Sequence, residues 1–299
     1  MAASSSRIVT KVLQSADGTP IYAEAVGDAS KPSVVLVHGF AVSSIAFDGI
    51  FGEGDEGRDS WLDEVYLVRY DTRGHGRSGK PADPASWESR RLAEDFDAVV
   101  KGFGMSRPFV ACWSLGGLTI TDILSNNSPD YLSGAILLAG YPSSTAVYKL
   151  AAPPALAMIP PFRNTTSIET LQATAQDFLA AFTAPGSTPL PFILQQALLG
   201  NVLSLPRGCM EHILMRTQDE THLWNAGKSG LPMLAVNGTE DPLVDGAASA
   251  KMLQSEWKDI TIHSVKGAGH MPFWEKPAEV REIMLSFVRR VVRSNTSPL

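Results

Sequence analysis

At 299 residues the chain has room for one large α/β domain or two ordinary ones. With 44% hydrophobic and 19% charged residues it holds ample apolar material for a buried core, and a net charge of −6 without a long basic run argues against a nucleic-acid surface. No window reaches about 18 consecutive apolar residues, so no transmembrane helix is expected.

The opening stretch MAASSSRIVTKVLQ lacks the apolar run of roughly 7–15 residues of a secretory signal, so a cytoplasmic location is expected. The Asn-x-Ser/Thr triplets at Asn164 and Asn237 are then chance. Arg7–Gln14 and Ile21–Val26 flank Ala16-Asp17-Gly18, the pattern of a hairpin. Ser33–Val37 (SVVLV) is a continuous apolar run, as in a strand buried on both faces of a parallel sheet. Val65–Tyr70, Phe109–Cys112, Ala135–Ala139, Met233–Asn237 and Thr261–Val265 read as further strands. Helical patterns over Trp87–Gly102, Leu115–Asn126, Gly246–Ser255 and Pro277–Val292 separate several of them. Strands alternating with helices predict an α/β fold with a mostly parallel, doubly wound sheet. Residues 143–227 break this rhythm. They are rich in Ala, Leu, Pro and Met, show no convincing strand, and include a helical stretch around Ile168–Phe182. They read as an inserted helical cap between two parts of one core, 1–142 and 228–299, because loops at the carboxyl edge of such a sheet usually hold the ligand. Cys112 and Cys209 make no disulfide framework, and Cys112 falls in an apolar run where a thiol packs as a small hydrophobe.

The strongest chemical signal is Pro108-Phe-Val-Ala-Cys-Trp-Ser-Leu-Gly-Gly117. A β run ends near Cys112, a helical pattern starts at Leu115, and Ser114 sits on the turn between them, the context of a nucleophile elbow. So tight a turn needs small residues two before and two after the serine. Gly116 meets this and Gly117 adds room; Cys112 replaces the usual glycine but is small enough to leave the turn intact. The turn lifts the Ser114 hydroxyl above the sheet edge, and the backbone N–H of Leu115 can then face a developing oxyanion at the helix start.

With these residues the chain resembles the α/β-hydrolase superfamily, specifically its cap-bearing, carboxylesterase-like serine hydrolases, over nearly its whole length. The resemblance implies the roles of four further segments. His38-Gly39-Phe40, directly after SVVLV, matches the loop that opens the oxyanion hole, so the Phe40 N–H is the second donor and its side chain lines the pocket; His38 is structural. Asp71-Thr-Arg-Gly-His-Gly-Arg-Ser78 resembles the family's D-x-R-G-x-G-x-S loop, in which Arg73, His75 and Ser78 are structural. Asp241 stands in a G-x-x-D pattern as the acid that orients the histidine, with Glu240 and Asp245 as fallbacks and Asp245 placed to cap the next helix. His270, in G-x-G-H after the last strand, is the general base. The order Ser114, Asp241, His270 is the one this fold uses.

A serine nucleophile favours attack at an acyl carbon, whereas the family's dehalogenases and epoxide hydrolases use aspartate there. The expected reaction is therefore hydrolysis of a small to medium hydrophobic ester, lactone or thioester through an acyl-enzyme at Ser114. No metal or organic cofactor is expected, since there is no His-x-x-x-His and no cysteine cluster. Phe40, Trp113 and Trp274 are expected near the substrate, under an apolar lid that includes Pro153, Leu156, Met158, Ile159, Phe162, Phe192 and Ile193. Arg163 or Arg216 could hold a carboxylate. The expected partner is a small hydrophobic acyl substrate, with the protein a monomer or homodimer. Carbon–carbon bond hydrolysis, perhydrolysis, a non-hydrolytic biosynthetic role and a ligand-receptor role on the same fold stay open.

Overall fold

The computed structural model describes residues 8–51 and 61–296. The β-branched and aliphatic runs form β1 (Val9–Gln14), β2 (Pro20–Val26), β3 (Ser33–Val37), β4 (Tyr66–Tyr70), β5 (Phe109–Trp113), β6 (Gly134–Leu138), β7 (Met233–Gly238) and β8 (Ile260–Val265). They make one sheet in the order β1-β2-β4-β3-β5-β6-β7-β8. The β1–β2 hairpin and the β2–β4 pair are antiparallel, and every pair from β4 to β8 is parallel. Each expected strand is present within a residue or two; Arg7 lies outside the described residues. β5 runs one residue further than expected because Trp113 pairs with Leu138.

The connections are helical. α1 (Ser89–Gly102) starts later than expected, because Pro84–Trp87 is a separate 3₁₀ turn capped by Asp83 and Glu88 is extended. A 3₁₀ turn over Ser114–Gly117 likewise precedes α2 (Leu118–Asn126). Between β6 and β7 stand α3 (Ser144–Leu150), α4 (Pro153–Arg163), α5 (Ile168–Ala180), α6 (Phe192–Ser204), α7 (Arg207–Met215) and α8 (Thr221–Ser229). α9 (Gly246–Glu256) follows β7 with Asp245 as its N-cap, and α10 (Pro272–Glu275) and α11 (Pro277–Thr296) follow β8. No described helix is long and apolar enough to cross a membrane.

Period-2 alternation divides the core into two layers. Phe109, Ala111 and Trp113 of β5 face a cluster with Val280, Met284 and Val288 of α11, while Val110 and Cys112 face one with Phe96 and Val99 of α1 and Ile123 of α2. Leu223 places α8 in this second layer, whereas Phe162, Phe178, Leu194 and Leu198 of α4–α6 continue the first. The chain leaves β3 for β4 on one side and returns across it to β5 on the other. The carboxyl ends of β3 and β5 therefore part into a crevice, the place where open α/β sheets bind ligands.

Buried polar groups fix the loops at that crevice. Arg73 is fully buried and forks onto Asp95 with two bonds of 2.7 Å, and a third reaches Asp17 at 2.9 Å. Asp71 accepts from the Ser44 N–H at 2.9 Å and the Arg77 N–H at 2.8 Å, while Ser78 Oγ accepts from the Tyr22 N–H at 2.9 Å. His75 Nε2 accepts from the Ala41 N–H at 3.1 Å, which leaves its proton on Nδ1, 2.8 Å from Thr72 Oγ1. His38 follows the same pattern, with Nε2 accepting from the Thr72 N–H at 3.0 Å and Nδ1 donating to the Gly39 carbonyl at 2.8 Å. Both imidazoles are neutral. Burial lowers both, and His75, with His38 beside it, falls to about 3. Arg73, His75 and Ser78 thus hold structure, as expected of them.

Two outcomes follow. Arg73→Met leaves Asp95 as an uncompensated buried charge and should cost about 3–5 kcal/mol, read as a lower urea midpoint at unchanged slope. Because the folded His75 binds its proton only near pH 3, the unfolded chain carries the extra proton between there and about 6.5. Stability should therefore fall as pH drops through that window, by up to about 1.4 kcal/mol per unit for each such histidine. Urea unfolding at pH 7.5 and 5.5 measures the drop. His75→Gln, which keeps an acceptor for Ala41, should lessen it, and an undiminished drop in that variant would rule out His75 as a source.

Candidate active site

Ser114 leaves β5 with φ +55°, a left-handed conformation that costs a serine strain and turns its side chain out of the sheet. The strain persists because the surroundings allow no other path. A Cβ on Gly116 would stand 2.4 Å from the His38 carbonyl oxygen, so only glycine lets the turn lie this close to the end of β3. Cys112 is fully buried in the layer under the sheet, where burial pushes its thiol well up.

Ser114 Oγ lies 2.8 Å from His270 Nε2, and His270 Nδ1 lies 2.9 Å from Asp241 Oδ2. The His270 and Asp241 side chains are 1% and 2% exposed. Asp241 Oδ1 accepts from the N–H groups of Leu243 at 2.8 Å and Val244 at 3.1 Å, which fixes the carboxylate and aims its second oxygen at the imidazole. An ionised carboxylate only accepts, so His270 carries its proton on Nδ1 and offers the Nε2 lone pair to the serine hydroxyl. The sequence-expected acid, base and nucleophile are thus brought into one hydrogen-bonded chain. The fallbacks are not in it: Asp245 accepts from the Ala248 N–H at the start of α9, and Glu240 is exposed.

The loop that delivers His270 is tied from three sides. The Trp113 indole donates to the His270 carbonyl at 2.8 Å, and Met271 N–H donates to the Phe182 carbonyl at 2.8 Å. Glu275, which sequence reasoning passed over, accepts from Gly269 N–H at 2.6 Å and from Ala184 N–H at 2.9 Å. The sequence shows only an acid six residues past Gly269; that a Cβ on this glycine would meet the Ala184 nitrogen at 2.4 Å, so close is the approach of the two loops, is a property of the fold. The N–H groups of Phe40 and Leu115 have no protein acceptor among the described residues. Phe40 is fixed through its neighbour Ala41, held at φ +56° by His75.

Above Ser114 opens a cavity of about 70 Å³. Phe40, Leu115, Tyr141, Met158, Ile159 and Phe162 are among the residues around it, and none of the described lining residues is Lys, Arg, Asp or Glu. Phe40, Phe162 and Phe178 meet edge to face, with centroids 5.2 Å and 5.4 Å apart along the row. Tyr141 and Phe178 were not anticipated. Tyr141 follows β6 at the carboxyl edge, a position that could have marked it.

Two expected lining residues are elsewhere. Trp113 extends β5 on the α11 side, where its indole supports His270 from the core. Trp274 lies over Gly49 so closely that a Cβ there would meet its ring at 2.6 Å. Of the expected lid residues, Met158, Ile159 and Phe162 reach the cavity, while Phe192 and Ile193 are 73% and 83% exposed. Arg163 pairs with Glu211 near the surface, and Arg216 pairs with the buried Asp122, so neither faces Ser114.

Comparison with known proteins agrees with this fold. A solved structure from Burkholderia cenocepacia superimposes with a TM-score of 0.82 at 24% identity over 95% of this chain and all of that one. The esterase RhEst1 from Rhodococcus sp. ECU1013 gives 0.80 at 24% identity over 94% of this chain and 99% of its own. The Mycobacterium tuberculosis protein named "Probable oxidoreductase EphD" is 33% identical over 100 residues, which is 33% of this chain and 16% of that protein. The chain therefore spans about one sixth of the length of the curated relatives it matches. The model of the alpha/beta hydrolase family matches residues 34–283, a span that takes in β3 but for its first residue, every strand from β4 to β8 and all three members of the Ser114–His270–Asp241 chain. On that match and this architecture, the protein belongs to the alpha/beta hydrolase family.

Proposed function

We propose that the protein hydrolyses small to medium hydrophobic esters, lactones or thioesters through an acyl-enzyme at Ser114. The observation that carries this reading is the unbroken hydrogen-bonded line from Asp241 through His270 to Ser114, ending in an uncharged cavity beside two uncommitted N–H groups. As Ser114 Oγ attacks the acyl carbon, its proton passes to His270 Nε2, and Asp241 stabilises the imidazolium. The Phe40 and Leu115 N–H groups donate to the oxyanion, each worth about 10²–10³ in rate. Collapse expels the leaving group, which takes the proton from His270. Water then enters, gives a proton to the same nitrogen and attacks the acyl carbon, and Ser114 leaves with that proton as the free enzyme.

In this reading α3–α7 act as the cap, since Val147, Met158, Phe178 and Leu214 reach the cavity from four of those helices. Burying apolar substrate against such a wall contributes about 25 cal/mol per Å². A neighbour in fold, the 2-hydroxy-6-oxo-6-phenylhexa-2,4-dienoate hydrolase of Rhodococcus sp. strain RHA1, shares 15% identity at a TM-score of 0.73. Its substrate is by name a carboxylate, and the described lining here offers no cation to hold one, which favours the ester reading.

A fluorophosphonate probe should label the wild type and neither Ser114→Ala nor His270→Ala, read by in-gel fluorescence; an unlabelled wild type would sink the mechanism. On p-nitrophenyl esters Ser114→Ala should lower kcat by about 10⁴–10⁶. Asp241→Asn keeps the shape but favours the wrong imidazole tautomer, so kcat should fall by about 10⁴ with KM little changed.

A further inference from the structure

Glu275 is not among the residues around the cavity above Ser114, so whatever it does for the reaction it does through another residue. It closes α10, a single turn in which its own N–H donates to the Met271 carbonyl at 3.1 Å. That turn brings the side chain back to the segment that carries His270. Oε2 accepts from the Gly269 N–H at 2.6 Å, while Oε1 accepts from the Ala184 N–H at 2.9 Å and from Ser187 Oγ at 3.2 Å. Both oxygens are thus in use, and every one of these partners donates to them. Donors converging on a carboxylate make short bonds, roughly twice as strong as neutral ones.

The donors come from two distant parts of the chain. Gly269 directly precedes His270, whereas Ala184 and Ser187 lie between α5 and α6 in the insert. The two backbones run so close that a Cβ on Gly269 would stand 2.5 Å from the Thr183 carbonyl carbon. His270 is therefore held at successive backbone groups. Glu275 takes the N–H before it, the Trp113 indole takes its own carbonyl, and the Phe182 carbonyl takes the Met271 N–H after it. Phe182 in turn meets Trp113 and Phe178 edge to face, with centroids 5.2 Å and 4.8 Å away, and Phe178 lines the cavity. Glu275 joins loop and insert through a side chain, so a substitution can cut this tie without altering either backbone. Placement matters here because Nε2 must face Ser114 Oγ while Nδ1 faces Asp241, and a misplacement of about 1 Å can cost about 10² in rate.

We propose that Glu275 is a positioning residue for the reaction, acting through Gly269 to hold the His270 imidazole in line between Asp241 and Ser114. By gripping Ala184 with its other oxygen it makes the inserted helices part of the support of the base. The proposal rests on the acyl-hydrolase reading above and adds to it a residue that meets neither substrate nor nucleophile.

The test reads kcat and KM on p-nitrophenyl butanoate for the wild type, Glu275→Gln, His270→Ala and the double variant, each per mole of folded enzyme from near-ultraviolet circular dichroism. Glu275→Gln keeps the length of the side chain but sets an NH2 donor where a carboxylate oxygen now accepts. It should lower kcat by about 10–100-fold while KM changes by less than about twofold, because Phe178 and Phe182 keep their ring contact and the bond to Met271. His270→Ala retains a residual rate over water from the oxyanion donors and binding. In that background Glu275→Gln should change the rate by less than about twofold, since the residue it acts through is gone. An unchanged kcat in Glu275→Gln, a loss that appears in KM instead, or the same loss repeated in the His270→Ala background would overturn the positioning role and leave Ser114-dependent hydrolysis standing. If Glu275→Gln does not fold, Glu275→Asp, which keeps both oxygens but is one CH2 short, is read against the same outcomes. Absence of any turnover that Ser114→Ala abolishes would overturn the hydrolase reading and this role with it.

Discussion

The turn that carries Ser114 lies against the carboxyl end of β3 with carbonyl oxygens of Val37 and His38 where a side chain on Gly116 would be. That approach forces the positive φ of the serine, at a cost of about 1–3 kcal/mol. It also sets the Leu115 N–H beside the loop that presents the Phe40 N–H. In the proposed mechanism the nucleophile and the oxyanion donors are thus positioned by one contact between two parallel strands. The registers of β3 with β5 and of β5 with β6 hold it, together with the bond from Tyr141 N–H to the Ser114 carbonyl at 3.1 Å.

The rest of the sheet edge is arranged so that this contact need not move. Arg73, Asp71 and the two neutral histidines tie the loops after β3 and β4 to one another, and a pair of backbone N–H groups locks the Asp241 carboxylate. Trp113 and Glu275 do the same for the His270 loop. Rigid placement of charge and donors lets such a site stabilise a transition state without reorganising when the reaction begins. The helices between β6 and β7 supply what the sheet lacks, an apolar wall over the serine. Directly after α7 they also supply Arg216, which ties that helix to α2 through Asp122.

Much of this was legible in the sequence because it is local. Continuous apolar runs rich in β-branched residues such as SVVLV read as doubly buried strands, and small residues after Ser114 suit a tight turn. Asp241 and His270 follow strands at positions where a loop must return to the same edge. The misplaced residues fail for a different reason. Trp113 shares the strand periodicity of Phe109 and Ala111, which sends its ring into the core, but adjacency to the serine suggested the pocket. Trp274 packs on Gly49, a contact spanning most of the chain that no local pattern reports. Phe192 and Ile193 are as hydrophobic as Phe162, yet they sit exposed at the start of α6 while Phe162 is buried. Composition marks an apolar segment but not which face of each helix meets the site.

The central claim is that an acyl group is held covalently on Ser114 during turnover. Acid-quenching the enzyme during steady hydrolysis of a slowly deacylating ester, followed by peptide mapping in a mass spectrometer, tests this most directly. The account predicts a mass gain equal to the acyl group less one hydrogen, located on Ser114 and exchanged when a different acyl ester is supplied. Steady turnover with the adduct on another residue, or with none under conditions where deacylation limits the rate, would contradict it.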